Sequence, residues 1–353
     1  MTQNDRADIE AVIEPGLPIV DPHHHLWLIP QATIEALEAR QDAGSAILAA
    51  MYRNRPRFLF EELLADTTSG HNVRATVFLE AHAMYRADGP PELSSVGEVE
   101  FVNGVAAMAA SGVFGDVRLC AGIVGNADLR RGDAARGVLE AHLRAGGDRY
   151  RGVRNNVSYD ERPGTLSGST GQPHVLLDPA FRAGFRHLQP LGLSFDLAVA
   201  APQLPEVADL AQAFPQTQII LNHLGGAGAA GPDGKVSREE FTTWRDRLRL
   251  VAGQPNVTLK LGGLGNPISG LPLAGGAQDS ETLAQAWRPY IETGIEAFGP
   301  DRCMFESNFP VDGMTASYRV VWNAYKRIAA GASADEKAAL FFGTARRVYR
   351  LDI

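Results

Sequence analysis

Three consecutive histidines, His23 to His25, follow an apolar run in the sequence IVDPHHHLW. If Ile19 to His25 forms a strand, its side chains alternate between two faces, so His23 and His25 share one face with Asp21. Two imidazoles on one face can bind a single metal ion or contact one substrate oxygen. The alternative interpretation is a histidine-rich turn without a chemical role.

A third imidazole ends another apolar run. His223 closes TQIILNH and precedes two glycines, which places it at the end of a predicted strand. A lone histidine there is more often a packed core residue. Together with His23 and His25, however, it would complete a three-imidazole set, and such a set leaves one position on a zinc ion for water or substrate.

Several carboxylates follow apolar runs and are candidates for activating water. Glu80 ends RATVFLE, Asp196 lies in LSFDLAV, and Asp312 follows RCMFESN. Among them we choose Glu80 as the general base, which requires that it lie within hydrogen-bond reach of the water. Glu306 shares inward parity with Lys260, and we expect a buried ion pair between these two.

Substrate contacts are expected from residues at or just beyond the predicted strand ends. Arg154 ends the run RGVR, and its guanidinium could bind a substrate carboxylate in a bidentate manner. The alternative for Arg154 is a salt bridge on the rim of the site. The other residues expected to line the pocket are Trp27, Tyr85, Asn156 and Tyr159, although a residue of this kind, taken alone, is more often plain packing.

Eight short apolar runs must position these residues. They begin near residues 19, 74, 117, 151, 193, 217, 257 and 302, and helix-like segments separate them. Several runs are rich in Val, Ile and Leu with little alternation, as in parallel strands that are buried on both faces. We therefore predict a (β/α)8 TIM barrel, one domain over 1–353 with an N-terminal extension at 1–18. An open doubly wound sheet is disfavoured because no GxGxxG turn follows the first run.

In such a barrel, active-site residues lie at the carboxyl ends of the strands and on the loops that follow. The three longest irregular stretches, 158–177, 224–235 and 264–280, fall there. They are predicted either as lids over the site or as tolerated insertions. Helix starts are predicted at Asp178, which precedes Pro179, and at Ser237, which has Glu240 at capping-box spacing.

Composition excludes several classes of partner. The formal net charge is −8 and no basic cluster stands out, which argues against nucleic acid and anionic membranes. The two cysteines are far apart, and neither a signal peptide nor a membrane span is recognisable. We therefore expect a cytoplasmic protein. The sequence leaves a homo-oligomer open.

The motifs, taken in order, resemble the amidohydrolase superfamily. DPHHHLW is similar to its DxHxHxW opening, RGVR to RGIR, ILNHLGG to LDHxG, and LKLGGL to VKLSGL. RCMFESNFPVD lies where relatives have SDWP. More narrowly, the motifs resemble those of the branch that contains lactonases of pyrone dicarboxylates and of sugar acids, which implies a small carboxylic acid or lactone as substrate. The resemblance also implies a barrel hydrolase that opens a lactone, with His23, His25 and His223 polarising the carbonyl directly or through a divalent ion.

This sequence departs from that pattern at acidic positions. Asn308 stands where relatives have the aspartate of SDWP, Asn222 replaces the aspartate of LDHxG, and Asn155 replaces an imidazole. Asparagine cannot accept a proton near neutral pH, so the base must lie elsewhere or hydrolysis is absent. Three functions stay open: a lactonase, a decarboxylase or other lyase, and a binding protein without catalysis. For the metal, we expect either a weakly held zinc ion or none.

Overall fold

The computed structural model describes residues 10–40, 42–161, 171–227, 236–266, 271 and 278–353. Eight parallel strands form one sheet in the order β1-β4-β5-β6-β7-β8-β9-β10. Their bounds are β1 Pro18–His24, β4 Asn72–Leu79, β5 Arg118–Gly125, β6 Tyr150–Asn156, β7 Ser194–Ala198, β8 Ile219–Leu221, β9 Val257–Lys260 and β10 Cys303–Met304. Each coincides with one of the eight predicted runs. The (β/α)8 prediction is therefore confirmed, as a nearly closed barrel.

The helices lie between these strands. Their bounds are α1 Gln31–Glu38, α2 Ala43–Asn54, α3 Phe60–Thr67, α4 Val96–Ala110, α5 Ala135–Gly146, α6 Pro179–Phe185, α7 Leu204–Ala213, α8 Arg238–Ala252, α9 Ser280–Phe298, α10 Tyr318–Ile328, α11 Ala334–Ala338 and α12 Thr344–Val348. A π-helical turn at Ala339–Gly343 joins the last two. Within the described ranges, no helix combines the length and the apolar composition that crossing a bilayer requires.

The barrel closes at the seam between β10 and β1. Because β10 has only two residues, the chain just beyond it makes the contacts. The amide of Asn308 donates to the carbonyl of His23 at 2.9 Å, and the amide of His25 donates to the carbonyl of Phe309 at 2.8 Å. The backbone that closes the seam therefore also presents the histidine motif and Asn308.

The core has two layers, one on each side of the strands. Ile219 and Leu221 pack outward among the helices, whereas Ile220 packs into the barrel interior. Both faces of the strand are thus buried, which explains why the sequence shows little alternation. The interior layer includes Tyr349, which the chain brings into the barrel immediately after α12.

The predicted helix starts are confirmed. The Asp178 carboxylate accepts a hydrogen bond from the Ala180 amide at 2.7 Å, directly before α6. Ser237 and Glu240 form a reciprocal capping box at the start of α8. Each of these bonds pairs a helix-end amide that would otherwise lack a backbone partner.

Some elements were not predicted. Trp27–Leu28 and Arg57–Phe58 form a two-stranded antiparallel pair, β2 and β3, with α1 and α2 between them. The three long loops lie partly outside the described residues, at 162–170, 228–235, 267–270 and 272–277. The prediction that these loops are either lids or insertions therefore also lies outside the described residues.

The N-terminal extension leads into β1, which begins at Pro18. Its described part packs against α10. The Ile13 amide donates to Asn323 Oδ1 at 2.9 Å, and Lys326 Nζ donates to the carbonyls of Ile13 and Glu14 at 2.9 Å each. The division into one domain with this extension stays a prediction.

Candidate active site

Two predicted imidazoles meet at Glu306. His223 Nδ1 donates to Glu306 Oε1 at 2.8 Å. Glu306 Oε2 lies 2.6 Å from His23 Nδ1 but outside hydrogen-bond geometry, and it is buried without a hydrogen-bond partner among the described residues. The His23 and His223 rings are 4.6 Å apart between centroids. The structure therefore brings His23 and His223 together, as predicted, although they are far apart in the sequence.

Lys260 approaches the same cluster from β9. Its Nζ lies 3.2 Å from His23 Nδ1 and 3.9 Å from Glu306 Oε2, but its shortest contact is with Asp196 Oδ1 at 2.8 Å. The expected Lys260–Glu306 pair therefore takes second place to a pair with Asp196. All four side chains are fully buried.

Burial and neighbouring charges set the protonation of this cluster. Burial, followed by the charge of Lys260, holds the pKa of His23 well below its usual range, so its imidazole is neutral. Burial alone would raise the pKa of the Glu306 carboxyl, but His223 and Lys260 bring it below its ordinary value. The cluster thus combines neutral nitrogen and anionic oxygen.

The remaining histidines of the motif point in opposite directions, as strand alternation predicts. His25 Nδ1 donates to the Leu79 carbonyl at 2.9 Å, and its ring lies 5.0 Å from that of His23. Burial, followed by the charge of Arg154, holds the pKa of His25 well below its usual range. With Nδ1 protonated and the ring neutral, Nε2 is an acceptor. His24 instead contacts Thr76 at 2.8 Å and Cys120 at 3.8 Å on the other face.

Arg154 is already engaged by the protein. Its Nε donates to Glu80 Oε1 at 2.7 Å, its Nη2 donates to the Glu80 carbonyl at 3.0 Å, and its Nη1 lies 3.3 Å from His23 Nε2. The other carboxylate oxygen, Glu80 Oε2, lies 3.1 Å from His82 Nε2 and is buried without a hydrogen bond among the described residues. This arrangement orients Glu80 and occupies the fork of Arg154.

Amide side chains occupy two positions at which the motif resemblance implied acids. Asn308 Nδ2 donates to Asp312 Oδ1 at 2.6 Å, and Asn222 Nδ2 donates to Asp196 Oδ1 at 2.9 Å. Burial raises the pKa of Asp312 well above its ordinary value. Asn222 Oδ1 is buried without a hydrogen-bond partner within the described part of the chain.

These residues surround a cavity of about 410 Å³ at the carboxyl ends of the strands. Its volume is within the range typical of small-molecule sites. The lining side chains are mostly uncharged, and the residues that contribute to the wall include His25, Trp27, Leu48, Met51, Tyr52, Glu80, His82, Arg154, Asn156, Ser158, Asn222, His223, Asn266, Asn308 and Val311.

The structure therefore brings together most of the predicted site. Glu80, Arg154, Asn156, Trp27 and Asn308 line the cavity with His25 and His223, and His23 lies beneath them. The roles of these residues stay predictions. Two predicted lining residues lie elsewhere: Tyr85 OH contacts His82 Nδ1 at 3.1 Å, and Tyr159 lines a separate cavity with His174 and Glu206.

Sequence reasoning missed several participants. Glu306 contacts two of the histidines rather than only Lys260, and Asn222 contributes an acceptor to the wall. His82 also lines the cavity. It lies two residues after Glu80. In a strand that continued to residue 82, this spacing would have predicted that the two side chains point the same way.

Gly263 packs directly on His223. A Cβ atom on Gly263 would lie 2.3 Å from His223 Nδ1 and 2.4 Å from its Cγ, and the glycine has φ of +70°. A side chain would therefore collide with the imidazole and strain the backbone. The glycine leaves the space in which His223 reaches Glu306.

The donor set fits a divalent metal. One atom from each of His23, His223 and Glu306 lies within 4.8 Å of the others. Two imidazoles and a carboxylate are common zinc ligands, and Glu306 Oε2 is a buried oxygen close to a nitrogen without a hydrogen bond between them. His25, which we predicted as a third ligand, is not part of this group.

The sequence matches the family described as Amidohydrolase over residues 20–351. The chain belongs to the Amidohydrolase family. As a member of this family it is an enzyme, and the resemblance inferred from its motifs is confirmed. The match spans all eight strands of the sheet except the first two residues of β1.

The chain is also similar to individual proteins along much of its length. Uncharacterized protein y4mH of Sinorhizobium fredii is 33% identical over 95% of this chain and 99% of its own length. L-fucono-1,5-lactonase of Burkholderia multivorans is 32% identical over 65% of this chain and 72% of its own length. A crystal structure of an amidohydrolase from Burkholderia multivorans with bound zinc has 26% identity and a TM-score of 0.67, covering 94% of this chain and 99% of that one.

Proposed function

We propose that this amidohydrolase opens the ring of an uncharged, hydroxylated lactone, such as a sugar lactone. The observation that carries the proposal is the chemistry of the cavity wall. His25 and Asn222 line the cavity, and His25 Nε2 and the buried Asn222 Oδ1 are acceptors without a hydrogen bond among the described residues. Acceptors of this kind suit the hydroxyl groups of a polyol.

The same wall is poorly suited to a carboxylate substrate. Each nitrogen of Arg154 already faces Glu80 or His23, so its bidentate fork is occupied. A substrate carboxylate would have to compete with Glu80 for it, and it would meet the acceptor oxygens nearby. We therefore assign Arg154 to holding Glu80, and we place the hydroxyl-bearing carbons of the lactone against the amides.

Water attack requires a proton acceptor, and Glu80 Oε2 is suited to that task. Arg154 fixes the other oxygen of the carboxylate at 2.7 Å, which leaves Oε2 oriented and able to take a proton from water. Trp27, whose ring stacks on that of His25 with 6.0 Å between the centroids, lines one side of the cavity. Asn308 would orient water or substrate but cannot act as the base.

The carbonyl oxygen gains negative charge as water attacks. His23, His223 and Glu306 would hold a divalent ion, which would supply positive charge near that oxygen when bound. His223 and His25 would then orient the ring from either side. The lactonase relative and the zinc-containing relative support this proposal.

The test is a substrate panel with proton release as the readout. We expect turnover of neutral 1,4- and 1,5-lactones of sugar acids, and little or none of 2-pyrone-4,6-dicarboxylate. Glu80→Gln should lower kcat by about 100-fold, because general-base catalysis contributes about 10²–10⁴. Turnover of the dicarboxylate without turnover of any neutral lactone would reverse the substrate assignment.

A second candidate is a decarboxylase, and Asn308 is the observation that favours it. Loss of the aspartate that relatives carry at this position removes a water-activating group. Carbon dioxide release from aromatic acids, measured on the same preparation, distinguishes the two reactions. Ring opening without carbon dioxide would exclude this candidate, and binding without any product would instead indicate the non-catalytic alternative.

A further inference from the structure

Lys260 is a buried cation beside the proposed metal ligands, and the reaction proposed above does not use it. It is 0% exposed and does not line the cavity. Its Nζ lies 3.2 Å from His23 Nδ1, which is the His23 nitrogen next to Glu306 Oε2. The ammonium is therefore within hydrogen-bond distance of a nitrogen that a metal ion at this cluster would use.

A neutral imidazole nitrogen has one lone pair. A metal ion at this cluster needs the lone pair of His23 Nδ1, which is available only in the tautomer with the ring proton on Nε2, and in that tautomer Nδ1 can instead accept a hydrogen bond from Lys260, 3.2 Å away. We infer that the Lys260 ammonium and a divalent cation are alternative partners of His23 and Glu306, so that Lys260 weakens metal binding. This inference rests on the metal site of the proposed function.

The surroundings of Lys260 keep it in place. Asp196 holds Nζ at 2.8 Å, and the face of Tyr349 lies 5.4 Å from it. Asp196 in turn accepts from Tyr349 OH at 2.8 Å, so the acid is itself fixed. These contacts favour the observed position of Lys260, in which its charge would lie close to an ion bound at the cluster.

Electrostatic repulsion adds to this competition. Like charges a few ångströms apart in a buried site repel strongly, because little water screens them. Asp196, 2.8 Å from Nζ, offsets part of the Lys260 charge, and Glu306 Oε2 lies 3.9 Å from the same nitrogen. A divalent ion bound at this cluster would accordingly exchange more readily than it would without Lys260.

The experiment measures zinc affinity rather than activity. The full chain is stripped of metal and titrated with Zn²⁺ in competition with a chromophoric chelator. Lys260→Met and Lys260→Gln remove the charge, with Lys260→Gln as the more polar choice in case the first variant folds poorly. Lys326→Met is the matched control, because Lys326 is also buried but contacts His71 and the N-terminal extension instead.

We expect Zn²⁺ affinity to rise by about 10-fold or more in both Lys260 variants and to stay within about twofold in the control. Equal affinity in wild type and both Lys260 variants would overturn the role of Lys260 while leaving the metal site intact. Lack of Zn²⁺ binding by every variant would overturn the metal site itself, and this inference with it.

Discussion

Replacement of Gly263 by alanine tests whether the position of His223 matters for catalysis. The new Cβ would lie 2.3 Å from His223 Nδ1, whereas ordinary contact begins at 3.4 Å, so the ring must move by about 1 Å. The Nδ1–Glu306 hydrogen bond is 2.8 Å long and such bonds end near about 3.2 Å, so this shift breaks it. Misplacement by about 1 Å can lower a rate by about 100-fold, and we expect that loss in kcat/KM.

Gly299→Ala is the matched control. Gly299 also has positive φ, at +77°, but nothing lies within 4 Å of the Cβ it would gain. Both variants should lose about 1–3 kcal/mol of unfolding free energy from backbone strain, and only Gly263→Ala should lose activity. The assay is proton release on the best lactone of the panel, with urea unfolding in parallel. If Gly263→Ala retained kcat/KM within about threefold of Gly299→Ala, a strict requirement for the His223–Glu306 contact would be refuted.

Three further predictions concern acids. Glu306→Gln removes the charged partner of His223. We expect this variant to have about 3 kcal/mol less unfolding free energy and about 100-fold lower kcat/KM than wild type. Wild-type values in both assays would contradict this. Asn308→Asp places a second acid 2.6 Å from Asp312. Because two ionised carboxylates repel each other, the melting temperature of this variant relative to wild type should fall from pH 6 to pH 8. Parallel melting-temperature profiles of the variant and wild type would argue against this. Burial, then the charge of Glu80, raises the pKa of Glu98 from 4.5 to about 8. The folded state therefore binds an extra proton, and wild type should lose roughly 3.5 kcal/mol between pH 5 and pH 8 relative to Glu98→Gln. Parallel urea titrations of the two proteins would contradict this.

The sequence predicted strands best where several consecutive residues are all buried. The run TQIILNH contains three apolar residues that are all buried, and such a run predicts a strand without reference to the rest of the chain. The pair Trp27–Leu28 and Arg57–Phe58 could not be predicted, because two residues are too few to show a period. The helices between them were also missed; α1 begins after Pro30 without a side-chain cap.

The sequence predicted which residues belong to the site better than it predicted which of them contact each other. Strand parity indicates which side chains face the barrel interior, and it placed Lys260 and Glu306 there correctly. It cannot indicate which interior neighbours are nearest, because a lysine side chain spans several positions. Lys260 therefore reaches Asp196 on β7, and Glu306 is left to His23 and His223.

Asn308 has φ of +53°, a conformation that asparagine and aspartate tolerate better than most residues with a side chain. An exchange between amide and acid at this position thus makes little demand on the backbone of the seam. Asp312, one hydrogen bond away, could take the amide in return and conserve both the charge and the bond. Exchanging the two residue types between positions 308 and 312 would therefore keep one acid and one amide at the seam.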